Sequence, residues 1–212
     1  DSFIPRPPPL PGNCNRIDAK RGAHYLSQAP KSRPRSSPAR FRTVLVYPSE
    51  SVKKSLPHEK NAMPEVIFAG PDGRLEGRYH PQKDRDAPIA IVLHPHPAYG
   101  GTMNNKVVYN LHYAFYNLGF TVLRFNFRGV GRSQGEYDQG IGELSDAASA
   151  LDYLQAMNQN SKQCWVAGFS FGAWIGMQLL MRRPEITGFV SVAPPANLYD
   201  FSFLAPCTYS GL

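Results

Sequence analysis

Gly168-Phe169-Ser170-Phe171-Gly172 limits what this chain can fold into more than any other five residues, because of what stands on either side. Before it, Cys164-Trp165-Val166-Ala167 reads as a short buried strand; after it, Ala173-Trp174-Ile175-Gly176-Met177-Gln178-Leu179-Leu180 reads as a helix with most of its surface buried. A serine between two glycines, each two residues away, fits a sharp strand-to-helix turn. A Cβ at either glycine would clash there, and the serine backbone itself is strained. Such a turn lifts the Ser170 hydroxyl above the sheet edge and aims the free N–H groups of a helix N-terminus at the same spot.

The pattern around this turn predicts an α/β sheet. Residues 65–69 and 74–79 read as strands joined by Gly70-Pro71-Asp72-Gly73, an opening antiparallel hairpin. Ile89-Ala90-Ile91-Val92-Leu93 is continuously apolar, as a strand buried on both faces should be. A helix is expected over about 105–118, stopped by Gly119, then a strand over 120–125. A second helix over about 141–157 carries Leu144, Ala147, Ala148, Leu151 and Leu154 on one stripe. The turn strand and helix follow, and residues 188–193 close the series as a last strand. A hairpin followed by strand–helix alternation implies a mostly parallel sheet with helices on both faces.

Residues 1–62 have a different character. They hold 12 Lys+Arg against 4 Asp+Glu and 10 of the 20 prolines, so the whole +7 charge of the chain resides in them. Such a stretch buries too little apolar surface to offset its ordering entropy, and we expect a disordered basic Pro/Arg/Ser-rich arm. The one β-like run within it, 42–47, ends at Pro48 without an evident partner. A basic arm is the only feature that could address nucleic acid, and it reads more simply as a solvated extension. Cys14, Cys164 and Cys207 are odd in number and have no metal-like spacing, which fits a reducing compartment. With no apolar run near the ~18 residues of a membrane span, the expectation is a cytoplasmic protein without membrane contact.

Three stretches from Met63 onward carry a resemblance to a known family: the Gly-x-Ser-x-Gly turn, the His94-Pro95-His96-Pro97-Ala98-Tyr99-Gly100-Gly101 loop, and Asn126-Phe127-Arg128-Gly129-x-Gly131-x-Ser133. Together they resemble bacterial α/β-hydrolases of the dienelactone hydrolase or serine aminopeptidase-like group of carboxylesterases. The resemblance implies a serine hydrolase that attacks an ester or amide of a small-molecule substrate through an acyl-enzyme, with no cofactor. In such a turn Ser170 is the nucleophile, and Gly168 and Gly172 are the elbow glycines. Phe171 N–H, next after the nucleophile, is one expected oxyanion donor. Pro95 and Pro97 lack an N–H, so His96 N–H is the second, with Tyr99 in reserve and His94 bracing the loop. Arg128 and Asn126 are expected to pin their loop, and Arg128 to help shape the substrate mouth.

Other chemistry is less well supported. His94 and His96 have no convincing third metal ligand, and Gln134 stands where a dinucleotide loop needs its last glycine. The acid and histidine of a Ser–acid–His series should follow the serine, yet after Ser170 the acids are Glu185 and Asp200 and there is no histidine. The expectation is therefore the front part of a hydrolase, shortened at its C-terminus over 63–212. The alternative is an inactive fragment or binding remnant lacking the triad acid and histidine.

Overall fold

The computed structural model describes residues 63–209 and Gly211. The expected basic arm, its 42–47 run and Cys14 lie outside the described residues. β1 (Glu65–Gly70) and β2 (Gly73–His80) form the opening hairpin, with Gly73 turning at φ 111°. They are followed by β3 (Ile89–Leu93), α1 (Lys106–Asn117), β4 (Thr121–Phe125), α2 (Ile141–Met157), β5 (Cys164–Phe169), α3 (Phe171–Leu180) and β6 (Ile186–Val192). A short 3-10 turn, Pro97–Tyr99, interrupts the loop after β3.

One sheet in the order β1-β2-β4-β3-β5-β6 contains every strand. β1, β2 and β4 pair antiparallel, whereas β4, β3, β5 and β6 run parallel. The alternation of β3 shows how both faces are filled. Ile89, Ile91 and Leu93 join Leu123, Phe125 and Val166 under α2 and α3, while Ala90 and Val92 join Val122 and Ala167 under α1 with Val108 and Phe115. A strand sandwiched this way has no solvated face, and all five of its residues are buried.

Two features differ from expectation. β6 begins at Ile186, two residues early, because Ile186 is buried and pairs with Cys164 across an irregularity that precedes the Trp165–Gly188 pair. The stripe of α2 is also not purely apolar: Glu143 and Asp146 are fully buried beside Ala147, Ala150, Leu151 and Leu154. Glu143 accepts the N–H groups of Asp138 (2.9 Å) and Gly140 (2.7 Å), closing the helix N-terminus.

The strand order decides where chemistry can happen. From β3 the chain crosses to β4 on one side, and from β4 it crosses back to β5 on the other. At such a reversal the loops leaving the carboxyl ends of neighbouring strands diverge and leave a crevice. The three loops there are 94–105 after β3, 126–140 after β4, and the Ser170 turn after β5.

Candidate active site

Ser170 occupies the single residue between β5 and α3, with φ 55° and ψ −117°. A left-handed φ in a non-glycine residue costs about 1–3 kcal/mol and persists only where surrounding contacts enforce it. Those contacts are present. A Cβ on Gly168 would fall on the Gly172 carbonyl, and one on Gly172 would lie 2.5 Å from Leu93 O and 2.6 Å from His94 O. Ser170 N–H donates to Val192 O (2.9 Å), which ties the turn to β6. The residue is half-buried, and its hydroxyl has no hydrogen-bond partner among the described residues.

The loop after β3 lies against this turn. The His96 ring stands 4.9 Å from that of Phe171, centroid to centroid. Neither His96 N–H nor Phe171 N–H donates to an acceptor among the described residues. Both amides are therefore unengaged among the described residues. Tyr99 does not share this freedom, because its N–H is given to His96 O at 3.1 Å.

His94 explains why the loop holds its shape. Its ring is fully buried, with Nε2 accepting Phe127 N–H (3.0 Å) and Nδ1 donating to Pro95 O (2.6 Å). Burial, only partly offset by the Pro95 carbonyl, pushes its pKa down to about 4, so the imidazole is neutral with its proton on Nδ1. The bracing role expected of it is what the coordinates contain. Asn126 adds a second strut, accepting Met103 N–H at 2.8 Å and donating to Glu76 Oε2 at 3.0 Å. Glu76 in turn accepts Arg132 N–H (2.8 Å), and Ser133 Oγ joins Glu76 N–H to Asn126 O. Sequence reading did not find this hub. The signal was a glutamate in the middle of an alternating strand.

Arg128 pins its loop as expected, but by a partner the sequence did not reveal. Its Nε and Nη2 bind the Asp146 carboxylate at 3.0 and 2.8 Å, and Asp146 also accepts Arg128 N–H. That carboxylate, first among the causes, holds the guanidinium pKa above its ordinary value. A guanidinium so engaged is not a free cation.

No described histidine is positioned as a base for Ser170. Both nitrogens of His94 are engaged, and His96 accepts Ala98 N–H on Nδ1 (3.1 Å) and contacts Tyr137 Oη through Nε2 (3.0 Å). His80 and His112 pair with each other at 3.2 Å between β2 and α1. Of the later acids, Asp200 binds Ser202 with both oxygens (2.8 and 2.7 Å). Glu185 precedes β6, at the opposite end of the strands, and is held by Arg183 (2.6 Å). Among the described residues no group of three or more His, Cys, Asp and Glu side chains could hold a metal ion, and no helix is long and apolar enough to cross a membrane.

Comparison with known proteins agrees with this geometry. The model of the X-Pro dipeptidyl-peptidase (S15) family matches residues 77–206, from β2 through the segment after β6. The chain belongs to this family of α/β-hydrolases. A crystal structure of a protein of unknown function from Agrobacterium tumefaciens, provisionally named an alpha/beta hydrolase, is 72% identical. The match covers 70% of this chain and 68% of that one, with a TM-score of 0.68. An alpha-beta serine hydrolase homologue from Coxiella burnetii is 38% identical over 70% of this chain and 71% of its own, with a TM-score of 0.63. An uncharacterized protein of Rickettsia prowazekii is 59% identical over 152 residues; that match covers 70% of this hydrolase chain but 64% of the relative.

Proposed function

We propose that the protein is a carboxylesterase-like serine hydrolase that cleaves an ester or amide bond of a small-molecule substrate through an acyl-enzyme on Ser170. The observation that carries this is a strained serine between β5 and α3, with the His96 ring packed on Phe171 and the N–H groups of both residues unengaged. As the hydroxyl adds to the substrate carbonyl, the carbonyl oxygen takes up negative charge. The N–H groups of His96 and Phe171 receive it, and collapse of the tetrahedral adduct expels the alcohol or amine. Gly168 and Gly172 keep the turn tight enough for Phe171 N–H to lie beside the hydroxyl. The elements of this proposal all stand at the strand-order reversal, where open α/β sheets bind ligands.

Ser170 must pass its proton to a base, and the engaged nitrogens of His94 and His96 favour a base from outside the described residues. On that reading the chain by itself turns over substrate poorly. A fluorophosphonate probe incubated with the native protein tests the nucleophile: a single adduct on Ser170, absent from Ser170→Ala, is expected. Labelling that survives the substitution overturns the assignment. The reading of the isolated chain fails if the 212 residues hydrolyse p-nitrophenyl butyrate rapidly in a manner dependent on Ser170.

A further inference from the structure

Resting on the reading of Ser170 as the nucleophile, we propose that the surface beside it is an aromatic shelf that receives an uncharged aromatic ring of the substrate. Six rings meet there from four separate segments. His96 lies 4.8 Å from Tyr99, 4.9 Å from Tyr137 and 4.9 Å from Phe171. Phe171 lies 5.7 Å from Trp174 and 6.0 Å from Tyr199, and Trp174 stacks on Tyr199 at 4.3 Å. These separations are those of mutually attractive aromatic pairs, and each ring face left open offers the same contact to a ligand ring.

Several rings are left open. Tyr99 is 87% exposed and Tyr137 38%, whereas Phe171 beneath them is buried. Tyr99 is the most exposed of the large apolar side chains among the described residues, one ring from Phe171 through His96. An exposed aromatic cluster continuous with a candidate nucleophile is where a ligand gains most by covering it.

The polar groups of the shelf select a neutral ligand. Ala98 N–H occupies His96 Nδ1, which places the proton of the neutral ring on Nε2 and directs it to Tyr137 Oη. Tyr137 in turn shares its own O–H with the Tyr199 hydroxyl, so the polar atoms of the shelf are engaged with one another. Burial, with Tyr199 and Glu143 close by, holds that phenol up at about 12, so it stays protonated. Charge is lacking on the positive side. The Arg128 guanidinium is committed to Asp146, and the fully buried Glu143 adds negative potential beneath His96. No guanidinium is free here to pair with an anionic ligand, while an uncharged ring finds open stacking faces.

Binding of benzamide, cyclohexanecarboxamide and benzoate to the chain and to its Ser170→Ala variant tests this. The readout is the NMR shift of the Trp174 indole N–H, which is bonded to Asp200 O at 3.2 Å. Benzamide should bind about fivefold more tightly than cyclohexanecarboxamide, the size expected for aromatic pairing beyond area burial, with benzoate weaker still. The preference should survive Ser170→Ala, fall by about half in Tyr99→Ala, and vanish in the Tyr99→Ala/Tyr137→Ala double variant. Because Tyr99 is 87% exposed, the single variant reports even if the double one unfolds. Equal affinities for the two amides, tighter binding of benzoate, an unchanged preference in Tyr99→Ala, or no saturable binding would each overturn the shelf. Since the amides need no nucleophile, a failure of probe labelling with the ring preference intact sinks the hydrolase reading alone.

Discussion

Acid should unfold this protein through two histidines that take no part at Ser170. His112 of α1 is fully buried, its Nε2 3.2 Å from His80 Nδ1 on β2. The groups facing the pair are Arg124 from β4, Arg78 near it on β2, and Tyr109, Tyr113 and Tyr116 from α1; none is a carboxylate. Burial first, then the Arg124 charge and His80, pushes the His112 pKa down to about 3. The folded state thus holds His112 neutral, while the unfolded chain protonates it below about 6.5. Stability is full above pH 6.5 and falls as pH drops from 6.5 toward 3. At 1.36 kcal/mol per pH unit, the descent from 6.5 to 4.5 removes roughly 2 kcal/mol through His112 alone. That is a large fraction of the roughly 5–15 kcal/mol of a typical domain. His94, held at about 4, removes a similar amount over the same interval. Urea unfolding of the chain at pH 7.5, 6.0 and 4.5 measures the sum, and His112→Gln, which keeps a hydrogen-bonding group near His80, isolates one share. The variant should lose about 2–3 kcal/mol less than the parent between pH 6.5 and 4.5. A parent curve flat over that range, or the same slope in His112→Gln, would refute the reasoning.

Gly172→Ala puts a methyl within 2.5 Å of a backbone carbonyl; it should cost roughly 1–3 kcal/mol in urea unfolding and abolish probe labelling of Ser170. Asp146→Ala leaves the Arg128 guanidinium buried without its bidentate partner and should destabilise the chain by about 3–5 kcal/mol by the same assay. His96 has φ −52°, a value proline accepts, so His96→Pro deletes its N–H with little strain. If that N–H stabilises the oxyanion, labelling should slow on the order of 100-fold in His96→Pro but far less in His96→Ala, which keeps the N–H.

What the sequence made legible follows the range of the interactions involved. β3 and α2 were placed to the residue, because an unbroken apolar run and a helical stripe are local signals. The elbow was equally local: its glycines and serine are spaced by the turn itself. β6 was started late because Gly188 looks like a boundary, while the pairing of Ile186 with Cys164 is a property of the sheet. The polar hubs were missed for the same reason. Glu76 meets Asn126 across 50 residues and Arg128 meets Asp146 across 18, and no short-range pattern announces either pair. Helical phase did contain a clue, since Glu143 and Asp146 lie on the same face as Ala147, Ala150, Leu151 and Leu154. A carboxylate on an apolar stripe asks for a buried partner.

The site divides in the same way. His96 packs on Phe171 because a strand reversal brings the first and third loops to one place. Of the aromatic neighbours, Tyr137 and Tyr199 come from two other segments and Trp174 from the next turn of α3, and all are unremarkable until the chain is folded.

A structure of the protein reacted with a fluorophosphonate tests the central claim most directly. The account predicts phosphorus bonded to Ser170 Oγ, with one phosphonyl oxygen within about 2.7–3.1 Å of both His96 N and Phe171 N. An adduct on another side chain, or a phosphonyl oxygen turned away from both amides, would contradict it.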